Sequence, residues 1–400
     1  MTIRYNHGKL VLMMCLFYIV VSPLNNVLPV SLNRILTLAF IGAELLHAVV
    51  IRKRAASGWV LLLLYWTAVG FFSCLKGPVF SENLSDTVYM INTVLMLELI
   101  LRTEVLEEVL AYTAKKRAVV LSFLIMALVL IGLSALAADS YESNGAFRGF
   151  MYNSHSMAST AILIMTTALL CVDARGGKMK RALCAETLIM AVSLAVVLFT
   201  KGRTFLIPAV VLLWRYLHML PLVKKQRNLV AVCAVAVLMV VLWDQIAEKF
   251  IEALNNPYAR NTLAAITNFR SELWKCDIQY YFSQGAIGIL FGNSFSFVRE
   301  LHEVVLTERI WSHNDITYIL VASGLVGLIV YIAMYARAAS RFCRSGVNRM
   351  YFAAMVLFPM LVNGFYIYIP LVWAFFIMRA SLYSGEKTRC AIGGDCNHEQ

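Results

Sequence analysis

Apolar stretches long enough to cross a bilayer recur from one end of this chain to the other. About 20 helical residues, rising ~1.5 Å each, span ~30 Å of hydrocarbon. Inside that layer the backbone must satisfy its own hydrogen bonds, so each such run is read as a helix. Composition agrees. Hydrophobic residues make up 60% of the chain and charged residues only 14%, with a mean hydropathy of +0.72. A soluble domain is roughly half apolar and a quarter charged. The pattern predicts an all-α polytopic membrane protein with about twelve transmembrane helices, at 10–29, 34–50, 57–74, 86–102, 118–138, 152–172, 183–200, 204–219, 228–244, 315–336, 350–364 and 366–382. The first run has no small-residue cleavage site behind it and reads as a retained span. Asp86 and Glu98 interrupt the fourth, and Asn363-Gly364 reads as a tight turn between the last two.

Charge predicts orientation. Arg52-Lys53-Arg54, Lys115-Lys116-Arg117, Lys178-Lys180-Arg181, Lys224-Lys225-Arg227 and Arg337-Arg341-Arg344-Arg349 all fall in alternate loops. Loops enriched in Lys and Arg stay in the cytoplasm, which places both termini there. The net charge of +12 is thereby topogenic, and its spread over short loops without a recognition motif argues against a nucleic-acid partner. The chain divides into spans one to nine (1–244), a large extracytoplasmic loop (245–314), spans ten to twelve (315–384) and a cytoplasmic tail (385–400). The nine cysteines set up no disulfide framework. Cys390, Cys396 and His398 crowd the tail at a spacing that fits no zinc pattern.

The 70 residues of 245–314 far exceed the usual connection length, and loops of that size tend to carry function. Ile246, Phe250, Ile251 and Leu254 repeat at helical spacing, as do Leu273, Trp274, Ile278 and Tyr281. Gly285–Gly292 is apolar and glycine-rich, suited to dipping back toward the membrane. Cationic residues are sparse on this side. Lys201-Gly202-Arg203 forms the turn between spans seven and eight, Arg270 lies mid-loop, and Arg148 precedes Tyr152, Asn153 and His155. His313 opens the segment HNDITYILVASGLVG, where a polar stretch runs into a span. Singly, each has an ordinary explanation: an Arg snorkelling to headgroups, a solvated helix face, a structural His. Together, two guanidiniums and an imidazole on one side suit a phosphate-bearing substrate. Arg offers a planar, permanently charged fork for phosphate oxygens, and His accepts a proton near neutral pH. Asp315 reads as the cap of the tenth span.

These residues resemble the O-antigen ligase / polysaccharide polymerase superfamily of bacterial polytopic membrane glycosyltransferases. The likeness rests on His313-Asn314-x9-Gly324-x-x-Gly327 behind a large outer loop, on Thr200-Lys201-Gly202-Arg203-Thr204, and on Arg270-Ser-Glu-Leu-Trp274 followed by Leu290-Phe291-Gly292-Asn293. It covers roughly residues 145–340. Members often carry Gly-Ser-Arg or Thr-Ser-Arg where this chain has Lys201-Gly202-Arg203. The resemblance implies a glycan donor on undecaprenyl pyrophosphate, an acceptor glycan or glycolipid, the lipid bilayer as environment, and transfer at the periplasmic or outer face of the inner membrane. A chain-length regulator or flippase would be a further partner. It implies His313 as base for the acceptor hydroxyl, with Asn314 or a backbone carbonyl orienting the ring, and Arg203 and Arg270 as stabilisers of the leaving pyrophosphate. Lys201, Arg148, Asn314, Trp274 and His155 would contact substrate. No cofactor and no metal are expected, since no outer Asp-x-Asp cluster is present.

Polymerase and ligase share the motif; the Phe291-Gly-Asn and His313-Asn-Asp315 context leans to polymerase. The rival class is a twelve-span transporter, for which Glu44 and His47, one turn apart in the second span, would relay protons. Their structural reading is a buried hydrogen-bonded pair. No internal repeat favours transport.

Overall fold

In the computed structural model, residues 6–27, 32–48, 57–137, 139–177, 184–229, 269–307, 309–343 and 345–393 are described, with a few isolated positions between them. Among these residues the chain is helical, with no strand and a single bridge, Tyr141 to Phe147. The helices are α1 (His7–Val21), α2 (Leu32–Leu46), α3 (Ser57–Lys76), α4 (Phe80–Ile100), α5 (Thr103–Lys115), α6 (Arg117–Ser134), α7 (Ser154–Asp173), α8 (Ala185–Phe199) and α9 (Arg203–Met219). After them come α10 (Arg270–Ser283), α11 (Ala286–Phe291), α12 (Phe295–Leu306), α13 (Asp315–Phe342), α14 (Gly346–Val362) and α15 (Ile369–Gly393). Side-chain caps set several starts: Asn6 accepts from Lys9 N for α1, Asn153 from Ser156 N for α7, and Ser294 from Phe297 N for α12.

Among the described residues, five helical stretches are long and apolar enough to cross a membrane: His7–Leu24, Gly58–Lys76, Arg117–Ser134, Ser154–Asp173 and Asp315–Phe342. A sixth arises if α4 and α5, bent by 85° at Leu101-Arg102, count as one span. Ala185–Phe199, Gly346–Val362 and Ile369–Ser384 are shorter apolar helices. Helix length and composition therefore support a membrane protein without reaching the count of twelve. The expected span 34–50 runs past the described residues, within which α2 takes Leu32–Leu46, and α9, at the expected span 204–219, has 17 residues and is not among the long apolar helices. The expected ninth span, and the loop from 245 to 266, lie almost wholly outside the described residues. So do the basic loops at 52–54 and 180–181 and, in the tail, Cys396 and His398.

The buried axis of the bundle is α7, every residue of which from Met157 to Asp173 is buried, packed against α8, α9 and α15. α15 packs along it, and Val372, Trp373, Phe375 and Phe376 of α15 are buried. The low hydropathy of α4 has a local cause. Its buried Asn83 bonds Ser296 and its buried Asp86 bonds Arg299 and Tyr318, so α4 anchors α12 as well as facing the core. The stretch 103–115, read from hydropathy as a plain inner loop, is the amphipathic helix α5, which crosses the start of α1. Gly8 allows the approach: a Cβ there would collide with the Val105 carbonyl, and Glu108 accepts from the Gly8 amide at 2.6 Å.

Glu44 and His47 do not pair with each other. The Glu44 carboxylate meets His7 Nε2 at 2.6 Å, and His47 stacks on the His7 ring with 3.8 Å between centroids. Sequence spacing cannot reveal His7, which arrives from another helix. At this same end of the bundle, Arg215 bonds the buried Asp173, which also accepts from Ser381.

Candidate active site

At the opposite end, the first turns of α7, α9, α10 and α13 and the turn between α14 and α15 converge. Asn363, in that turn, is the hub. Its Oδ1 accepts from Arg270 Nη2 at 3.3 Å and lies 3.0 Å from His313 Nδ1, while its Nδ2 donates to the Tyr368 hydroxyl at 3.3 Å. Arg270 Nη1 donates to the Val362 carbonyl. The network fixes the imidazole tautomer. A guanidinium only donates, so the Asn363 atom facing it is the oxygen. That oxygen can only accept from His313, so Nδ1 carries the proton and the Nε2 lone pair is left for other chemistry.

His313 lies two residues ahead of α13, with its backbone in the left-handed region at φ 51°. It therefore stands ahead of the first helical turn and not on it. The Trp274 indole donates to the Ser312 carbonyl at 2.9 Å, and Trp311 packs 4.9 Å from the imidazole, centroid to centroid. Burial first, then the Arg270 charge, lowers the His313 pKa to about 3. The imidazole is neutral at physiological pH.

Arg270 differs from the half-buried arginines Arg117, Arg215 and Arg299. Arg117 faces Glu186, Arg215 faces Asp173 and Arg299 faces Asp86. Arg270, among the described residues, bonds only neutral oxygens. Burial and the neighbouring Arg203 both push its pKa down, and Tyr368, whose own pKa burial raises, stays a neutral hydroxyl. A cation held out of water without an anion costs several kcal/mol. Residues that keep such a cost cluster at sites that take a ligand. The chemistry the arrangement permits is anion binding at Arg270 and Arg203 beside a proton acceptor at His313 Nε2.

The other expected contacts divide. His155, in the first turn of α7, sets its ring 5.9 Å from Phe205 and 6.3 Å from Tyr368, centroid to centroid, and its buried Nδ1 has no partner among the described residues. It belongs to the cluster. Arg148 and Lys201 do not reach it. Arg148 Nε donates to the Asp139 carbonyl at 3.0 Å and Lys201 Nζ to the Asn144 carbonyl at 2.7 Å. Arg148 is half-buried and Lys201 exposed, and Lys201 ties the 139–150 loop to the turn before α9. Trp274 touches the segment ahead of His313 by its hydrogen bond to Ser312. Asn314 is the N-cap of α13, accepting from Ile316 N at 2.8 Å and Thr317 N at 3.3 Å. The cap and ring-orienting roles are thus exchanged relative to expectation. Asn314 caps the helix, Asn363 orients the ring, and Asp315 does neither. Asp315 is fully buried and accepts from Tyr331 OH at 2.6 Å and Phe365 N at 2.9 Å.

Sequence reasoning missed Asn363 and Tyr368, since Asn363-Gly364 read only as a turn. It also missed a buried pair on the loop side, Asp277 and His302, at 2.8 Å. His302 Nδ1 must donate to the Ile310 carbonyl at 2.7 Å. The pair straps the segment leading to His313 onto α10 and α12. Among the described residues no three His, Cys, Asp or Glu side chains gather as metal ligands. No family model matches the chain, and no curated protein matches it.

Proposed function

We propose that this protein is a membrane glycosyltransferase that moves a glycan from undecaprenyl pyrophosphate to an acceptor sugar hydroxyl, acting as a polysaccharide polymerase. The observation that carries the reading is Arg270, a half-buried cation with no carboxylate, hydrogen-bonded to the same Asn363 oxygen as a neutral His313. Arg203 lies close enough to Arg270 to depress its pKa. In this reading the pyrophosphate sits against Arg270 and Arg203, which stabilise the negative charge that grows on it as the glycosidic bond breaks. His313 Nε2 takes the proton of the attacking hydroxyl. With a pKa of about 3 the empty-site imidazole is a weak base. A bound dianion offsets the Arg270 charge and raises that pKa, so proton acceptance strengthens only when donor is present.

The test is deletion of the gene followed by gel analysis of surface and lipid-linked glycans. Loss of the surface ladder with single repeats remaining is the expected result. A full ladder trapped on undecaprenyl pyrophosphate would assign a ligase in place of a polymerase. Unchanged glycans would overturn the reading and favour transport.

A further inference from the structure

The path of residues 270–298 is that of a hairpin. α10 carries Arg270, Trp274, Asp277 and Tyr281 on one face, at spacings of four, three and four. These meet in turn Asn363, Ser312, His302 and the Ile289 carbonyl, the last at 3.1 Å. α10 thus descends alongside α13 from the level of His313. α11 then crosses α13 at Gly324, where α13 is broken. The chain returns upward, with Asn293 N donating to the Val321 carbonyl at 3.2 Å and the Phe295 carbonyl accepting from Tyr318 OH at 2.9 Å.

Two glycines make the crossing. Gly324 (φ 70°, ψ −171°) and Gly292 (φ 71°, ψ −162°) both occupy backbone space reserved for glycine. A Cβ on Gly324 would strike the Leu290 carbonyl, and one on Gly292 would strike the backbone of Ala322-Ser323. The break frees the Val321 carbonyl, and the Asn293 amide satisfies it.

Depth follows from α13. It has 28 residues, about 42 Å at ~1.5 Å per residue against ~30 Å of hydrocarbon. Gly324, nine residues in, lies roughly 8 to 14 Å inside the hydrocarbon, for a helix centred or flush with its outer edge. From Ile278 to Val298 there is no charged residue. The exposed side chains are mostly apolar: Phe282 is 73% exposed and Ile287 76%, with Ile278, Leu290 and Phe291 also exposed, and Gln279 and Ser283 are the polar exceptions.

We infer that residues 278–293 form a re-entrant hairpin inserted into the bilayer from the His313 side, with Phe282, Ile287 and Phe291 in contact with lipid acyl chains. Water at this face would leave an apolar patch exposed for no purpose. The hairpin's own backbone bonds within α10 and α11, and at Asn293 to α13, meet the requirement for non-continuous helix at membrane depth. This inference does not depend on the glycosyl-transfer reading.

The test is thiol accessibility in liposomes. Single variants Phe282→Cys, Ile287→Cys and Phe291→Cys are compared with Lys275→Cys at the top of α10 and Val304→Cys on α12, both exposed. Each is treated with a membrane-impermeant maleimide, and the modified peptide is quantified by mass spectrometry, so native cysteines are read separately. Tenfold or greater protection of the three hairpin positions, abolished when the bilayer is dissolved in SDS, is expected. Protection of less than tenfold at Ile287→Cys, or protection that persists in SDS, overturns the inference. All five substitutions fall on exposed side chains, and recovery of each variant in the liposome fraction verifies insertion.

Discussion

Asn363 holds a guanidinium and an imidazole with one oxygen atom, so its loss separates two functions at once. His313→Ala, Arg270→Ala and Arg203→Ala are each expected to abolish glycan transfer while protein still reaches the membrane. Removal of a general base alone is typically worth ~100- to 10,000-fold. Arg270→Lys keeps the charge but not the planar fork, and is expected to lose at least about 10-fold in transfer rate. Wild-type transfer by a well-inserted His313→Ala variant would remove the base assignment. The pKa of about 3 at His313 makes a pH prediction. The kcat/KM profile reports the free enzyme, so it should stay flat from pH 7 to pH 5; an acid limb near 6.5 would contradict it. Stability moves oppositely. The unfolded imidazole, at 6.5, binds a proton that the folded one refuses down to about 3. Folding therefore weakens as pH falls through that window, by about 2 kcal/mol at pH 5. His313→Gln should lose less stability than wild type between pH 7 and pH 5 in thermal unfolding.

At the scale of elements, the contact between α11 and α13 depends on two glycines in conformations closed to other residues. Gly292→Ala and Gly324→Ala are each expected to cost about 1–3 kcal/mol in backbone strain, with collision added, and to lower the unfolding temperature in detergent. Gly132→Ala, where nothing lies within reach of a Cβ, is the control. The motif His-Asn-x9-Gly-x-x-Gly was legible as a unit, but its purpose was not. Read along the sequence, Gly324 and Gly327 suggest a face for close helix packing. In the fold Gly324 breaks the helix so that a non-neighbouring segment can cross, and a φ of 70° leaves no trace in a hydropathy window. Arg270, His313 and Arg203 could be found because charged groups are rare on that side. Asn363 could not, because its partners lie 50 and 93 residues away. The same holds for His7 beside Glu44. For α4, hydropathy gave a weak span because Asp86 and Glu98 look costly until Arg299 of α12 pairs with the first and Arg102 and Arg337 with the second.

Across the whole molecule, polar clusters occupy both ends of an apolar bundle. The end opposite His313 is locked by Arg215 and Asp173, bridged by Ser381 of α15. Breaking a buried pair by removing one partner costs roughly 3–5 kcal/mol. Asp173→Ala is thus expected to lower the unfolding temperature while leaving donor affinity at the far end unchanged. Altered donor binding in this variant would reveal coupling along α7, α9 or α15. At the His313 end, the order in which the parts are made matters. Arg203, Arg270 and His313 leave the ribosome well before Asn363 and Tyr368 do, and Asp315 waits for the amides of Phe365 and Tyr366. Until the hairpin of α14 and α15 is translated and inserted, the imidazole has no group to set its tautomer and Arg270 has no oxygen to hold it. The reactive geometry is thus withheld from the nascent chain, and a product terminated before residue 363 would enter the membrane carrying every charged residue of the site and none of its alignment.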